Sequence, residues 1–211
     1  RRQRQMCIRD RVDSEGTLVC HIYRGLTEQD EYQLFSQLNN GKRSYGTNED
    51  YEARSQFDPK WKYVIECANK AGFSIVYSGG AKENTFGCPA TIEEVYDELG
   101  DIDFTDMLIM LYTVCNGNKY SLQSTFFKGF AKFYLAYKSS IIEKEFKKVF
   151  IDKATKTVTQ SCFSKIKEKS DTYNRTKNVG IKTAFGILMR YNECCSKKNT
   201  LSFGDFDSLI S

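Results

Sequence analysis

The chain has 211 residues, with 31 Lys and Arg against 27 Asp and Glu, 40% apolar residues and eight cysteines. That length buries a proper core in one large domain or two small ones. No apolar run approaches the ~20 residues that span a bilayer and no signal-peptide core is present, so a membrane or exported protein is excluded and a soluble, cytoplasmic one is expected.

Residues 1–12, beginning Arg1-Arg2-Gln3-Arg4-Gln5-Met6-Cys7, resemble the translation of sequencing-adapter DNA found at the ends of metagenomic contigs, and they are set apart from fold reasoning. Thr17-Leu18-Val19-Cys20-His21-Ile22-Tyr23 is an apolar, β-branched run that predicts a strand, ended by Arg24-Gly25. It reads as the last strand of a sheet whose other strands are missing, with His21 structural rather than catalytic. Thr27 is an N-cap, with Asp30 at the capping-box position and Leu34, Phe35 and Leu38 on one face of the helix that follows. Asn39-Asn40-Gly41 stops that helix, and Lys42-Arg43-Ser44-Tyr45 leads to a short segment over residues 48–56.

Asp58-Pro59 opens a helix over residues 60–71 that turns Trp61, Val64, Ile65 and Ala68 to one side and ends at Gly72. Residues 73–77 and 85–88 are expected to pair as a hairpin around Ser78-Gly79-Gly80. From Thr91 the pattern is helical over residues 91–99, 104–115, 121–137, 146–151, 158–169 and 176–194, with Asn116-Gly117 as a stop. The helix at 121–137 carries an aromatic stripe, Phe126, Phe127, Phe130, Phe133, Tyr134 and Tyr137, whose helical spacing argues for core packing over base stacking. In the last helix Ile181, Phe185, Leu188 and Met189 form the expected buried set.

The cysteines are scattered, no C-x-x-C pair occurs, His21 is the one histidine, and Cys194 and Cys195 are adjacent. Reduced thiols and no metal site are expected. Charge is distributed unevenly. Residues 1–12 hold five Arg and one Asp, so removing them takes the formal +4 to zero; residues 13–118 hold 8 cations against 18 anions, and residues 119–198 hold 18 against 6. Either the two halves attract each other or the basic half presents a nucleic-acid surface.

The run Tyr23-Arg24-Gly25-Leu26-Thr27-Glu28-Gln29-Asp30-Glu31-Tyr32-Gln33-Leu34-Phe35-Ser36-Gln37-Leu38-Asn39, with Lys42-Arg43 after it, resembles the end of the core of ParB-like proteins of the ParB/sulfiredoxin superfamily. Asn69-Lys70-Ala71-Gly72-Phe73-Ser74-Ile75, Ile92-Glu93-Glu94-Val95-Tyr96, Asn116-Gly117 and Phe127-Lys128-Gly129-Phe130-Ala131-Lys132-Phe133 also fit the plan of phage and mobile-element members. The resemblance implies a mainly α (α+β) protein: the remnant of a ParB-like α/β core over residues 13–57, a helix/hairpin/helix segment over 58–100, a basic helical domain over 101–198 and a tail over 199–211. The family's D/E-G-x-H-R-like loop belongs upstream of Thr17, where the adapter-like string stands, so no turnover is expected and no catalytic residue is assigned.

By the same resemblance Asn39, Lys42 and Arg43 lie on the nucleotide-phosphate side, and a nucleoside triphosphate is the cofactor implied for the intact parent. Lys and Arg donate to phosphate, Arg as a fork, whereas a helix cap followed by solvated cations is the plainer account of the same residues. Lys165, Lys167, Lys169, Arg175, Lys177 and Lys182 crowd one helix end and the following loop and are the candidates for contact with DNA. The expected function is that of a nucleic-acid-associated regulatory or partition-type module. The alternatives are a fragment of a nucleotide-hydrolysing or nuclease-like enzyme, or a helical adaptor that binds another protein through its basic half.

Overall fold

A computed structural model describes residues 23–39 and 47–207. The adapter-like segment with Cys7, residues 17–22 of the expected strand with Cys20 and His21, and Asn40-Gly41 of the expected helix stop lie outside the described residues, as do Lys42 and Arg43.

Helix α1 (Glu28–Asn39) starts as its sequence dictates: Thr27 N donates to Asp30 Oδ2 at 2.9 Å and Asp30 N donates to Thr27 Oγ1 at 3.2 Å. The expected short segment at 48–56 is a full helix, α2 (Thr47–Phe57), and it runs into α3 (Pro59–Lys70) through Asp58 alone. Asp58 Oδ1 accepts from Lys60 N at 3.0 Å and Trp61 N at 3.3 Å, and proline at the next position leaves no amide without a partner.

The expected hairpin is corrected. Strands β1 (Ser74–Ile75) and β2 (Thr85–Phe86) pair in parallel, Ser74 with Thr85 and Ile75 with Phe86. The tight reversal between them falls later than expected, at Glu83-Asn84, where Lys82 and Thr85 exchange backbone hydrogen bonds at 3.1 Å. Gly87 backs onto the Ser78-Gly79-Gly80 segment so closely that a Cβ on Gly87 would come within 3.0 Å of the Gly79 carbonyl, and Asn84 N donates to Gly117 O at 2.7 Å. Ser78-Gly79-Gly80 therefore belongs to a coil held from two sides, which its turn-like composition does not distinguish from a hairpin.

The two helices expected at 91–99 and 104–115 join as α4 (Pro89–Cys115), broken at Gly100, whose φ of 73° and ψ of 178° are open to glycine and costly to other residues. Then follow α5 (Ser124–Tyr137), α6 (Glu143–Phe150), α7 (Gln160–Asp171), α8 (Val179–Cys194), a 3₁₀ turn (Lys197–Asn199) and α9 (Phe203–Asp207). The fold class is mainly α. Among the described residues no helix is long and apolar enough to cross a membrane.

One core runs from Tyr51 to Phe206. Helix α5 lies at its centre against α4 and α8, and its aromatic stripe is wholly buried. Phe130 stacks on Phe146 at 5.6 Å between centroids, and Phe126 meets Phe163 edge-on at 5.0 Å. The stripe is core, as its spacing predicts. Of the set expected on α8, Ile181 and Leu188 are buried and Phe185 and Met189 half-buried, with Ala184, Ile187 and Tyr191 completing the inner face.

Candidate nucleic-acid interface

The uneven charge of the chain has a partial explanation inside the fold. Glu94 and Glu98 recur one helical turn apart on α4, and Lys128 and Lys132 do the same on α5. They meet as a ladder: Lys128 pairs with Glu94 at 2.5 Å, Lys132 with Glu98, and Lys138, just past α5, with Asp103 at 2.5 Å. Three lysines of the basic half are thus neutralised by the acidic half. Such partly exposed pairs contribute little, and Lys132→Ala is expected to cost less than about 1 kcal/mol in urea unfolding.

The six candidate cations occupy a second region. Lys165 and Lys167 are exposed on α7, Arg175 and Lys177 are exposed in the 172–178 connection, and Lys182 is half-buried in the first turns of α8. Among the described residues Lys165, Lys167, Lys177 and Lys182 form no ion pair. Lys169 does, with Glu193 at 2.7 Å, and Glu193 also takes Arg190. Burial works to raise the Glu193 carboxyl, but hydrogen bonds from Lys169 and Arg190 prevail and hold it below the usual carboxylate range. Lys169 is therefore already engaged within the fold.

The elements that carry these cations are packed against the core. Cys162, Phe163, Ile166 and Ser170 form the inner face of α7, so Lys165 and Lys167 fall on the outer arc. Asn178 caps α8, its Oδ1 accepting from Ile181 N at 3.1 Å. Tyr173 is buried in the connection and stacks on Phe185 at 4.4 Å. Arg175 and Lys177 thus leave from an anchored loop.

Asn39 ends α1, and the rest of its predicted constellation, Lys42 and Arg43, lies outside the described residues. The six described cysteines, Cys67, Cys88, Cys115, Cys162, Cys194 and Cys195, are free thiols. Burial pushes the Cys115 thiol well above its ordinary range, which suits a packing role. Among the described residues no three His, Cys, Asp or Glu side chains are grouped to hold a metal ion.

A polar node between α2, α3 and α4 joins Asp58 and Glu93, which the sequence marks only as a helix cap and part of a family-like motif, to Tyr51, Arg54 and Lys60, which it does not mark. Arg54 forks onto Glu93, Nη1 to Oε2 at 3.0 Å and Nη2 to Oε1 at 2.5 Å, and reaches Asp58 Oδ2 through Nε at 2.9 Å and Nη2 at 2.7 Å. Tyr51 donates its hydroxyl to Glu93 Oε2, and Lys60 bridges Glu93 at 3.3 Å and Asp97 at 2.6 Å. Arg54 hydrogen bonds first, then those of Tyr51 and the charge of Lys60, overcome burial and hold Glu93 down to about 2. The node is closed upon itself and braces three helices.

The model of a family described as a family of unknown function (DUF6551) matches residues 5–203, beginning inside the segment set apart above. No curated protein and no solved structure matches the chain.

Proposed function

We propose that the chain, which belongs to the family of unknown function DUF6551, is a nucleic-acid-associated protein of regulatory or partition type that meets DNA through α7, the 172–178 connection and the start of α8. The observation that carries this reading is the contrast between two sets of lysines. Those at and just after α5 are neutralised by α4, whereas Lys165, Lys167 and Lys177 stand exposed without an ion pair among the described residues. Residues 151–182 hold eight Lys and Arg against three Asp and Glu, a net charge of +5.

Cations of this kind act on phosphate as point charges, releasing counterions from the duplex with little preference for sequence. That is also the kind of partner the ParB-like resemblance implies, with Asn39, Lys42 and Arg43 proposed for nucleotide phosphate.

A salt titration of binding to labelled double-stranded DNA tests the proposal, comparing the full chain with the Lys165→Gln, Lys167→Gln, Lys169→Gln, Lys177→Gln variant. The full chain is expected to bind with affinity that falls steeply with salt. The variant is expected to lose about 3 from the slope of log K against log salt, at roughly 0.9 per phosphate contact with Lys169 contributing least. Absent or salt-insensitive binding by the full chain overturns the proposal.

A further inference from the structure

The basic surface does not end at α7. The chain between α6 and α7 turns through residues 152–157, closed by the antiparallel bridge of Ile151 with Val158. Asp152 organises this turn: its Oδ1 accepts from Ala154 N at 2.9 Å and Thr155 N at 3.1 Å, its N donates to Thr157 O at 2.9 Å, and its O accepts from Lys156 N at 2.9 Å. The backbone amides of Thr155 and Ala154 hold the Asp152 carboxyl below the usual range. The one acid of the turn is thus held by the turn's own amides, while Lys153 and Lys156 are left exposed.

Three chain segments converge at this corner. Lys165 of α7 lies near enough to act on the charge of Asp152. Asn118, in the connection between α4 and α5, donates its Nδ2 to Val158 O at 3.4 Å, and its neighbour Tyr120 packs on Phe163 of α7 at 5.8 Å. Lys119 extends over the Tyr120 ring with its Nζ 5.3 Å from the centroid and is exposed. Among the described residues Lys119, Lys153, Lys156 and Lys165 form no ion pair.

We infer that this corner, Lys119 with the 152–157 turn, is a second phosphate-contacting element that extends the α7–α8 surface along the backbone of duplex DNA. The inference rests on the function proposed above. Lysine point charges suit the regular phosphates of a duplex. Single-stranded nucleic acid calls for free ring faces, whereas Phe163 and Tyr173 are buried and the half-buried Tyr120 is taken up by Lys119 over its ring and by Phe163 beside it.

The test uses the full chain and a labelled duplex, with the variant Lys119→Gln, Lys153→Gln, Lys156→Gln. All three side chains are exposed, so circular dichroism and Tm are expected to stay unchanged. The slope of log K against log salt is expected to drop by about 2 to 3 relative to the unaltered chain. Asp152→Ala, which keeps every lysine and removes the brace of the turn, is expected to lose part of the same slope.

A triple variant that matches the unaltered chain in slope overturns this inference and leaves the α7–α8 reading standing. An unaltered chain that binds no duplex overturns both. Equal binding of single-stranded DNA, lost in the same triple variant, overturns the assignment to duplex. Displacement of the duplex by polyglutamate at equal charge concentration overturns the assignment to nucleic acid.

Discussion

Gly186→Ala is expected to destabilise the protein by about 3 kcal/mol, a fall in Tm of roughly 6–12 °C for a chain of this size. Two effects oppose each other. Alanine in a helix interior is favoured over glycine by about 1 kcal/mol. At this position, however, a Cβ would fall inside 3.0 Å of both the Ser170 hydroxyl and the Ile166 carbonyl oxygen. The hydroxyl can rotate, but it already donates to Ile166 O at 2.8 Å, and the carbonyl belongs to the backbone of α7. Relief therefore requires α7 to move off α8, and with it the packing of Phe163 and Tyr173. Overpacking outweighs propensity. Thermal melts followed by circular dichroism check the sign, with Gly80→Ala, where nothing lies within 4 Å, as the control expected to shift Tm little. A Gly186→Ala protein as stable as the unaltered chain would show that the α7–α8 contact is looser than this geometry.

Much of the fold was legible because its signals are local. Thr27 with Asp30, Asp58 with Pro59, and Asn116 with Gly117 mark helix ends through bonds made within four residues, and the spacing of the stripe on α5 is a property of one helix. Helix α2 was legible only as a short segment, since little in Thr47–Phe57 forms an apolar face. Its inner side depends on partners elsewhere, Tyr51 on Trp61 at 4.8 Å and Arg54 on Glu93, 39 residues away. The parallel β1–β2 pair is likewise tied to a distant partner, Gly117 O accepting from Asn84 N beside β2.

At the candidate interface, composition located the basic half but not which lysines are neutralised. That division follows from α4 lying beside α5, a contact that spans more than 30 residues. Lys153 and Lys156 carry no such signal in the sequence, because a turn between helices has no periodicity.

The second large effect is on acid stability, and it centres on Glu93. Its ordinary value of 4.5 applies in the unfolded chain, and the folded protein holds it down to about 2. A group with a depressed folded value contributes stability that is complete above pH ~4.5 and is lost as pH falls through that value towards about 2. Full linkage would amount to ~3 kcal/mol, and the partial access of water to the carboxylate reduces this to about 2 kcal/mol. Glu93→Gln is therefore expected to lose about 2 kcal/mol at pH 7, because Arg54 and Lys60 then face a neutral amide. It is also expected to show a shallower decline than the unaltered chain between pH 4.5 and 2.

Tyr51 supplies the opposite limb. Burial first, then the neighbouring Glu93 carboxylate, push its hydroxyl up to about 12. Its contribution is complete below pH ~10 and is lost as pH rises towards 12, because the unfolded chain gives up that proton sooner. Replacing Tyr51 with phenylalanine should flatten the alkaline limb and leave much of the acid limb, since the fork from Arg54 survives. Urea unfolding across pH, run on the unaltered chain and both variants, separates the two. Parallel acid limbs in the unaltered and Glu93→Gln proteins would mean that the node braces α2, α3 and α4 by packing alone, with the charges of Arg54 and Glu93 adding nothing.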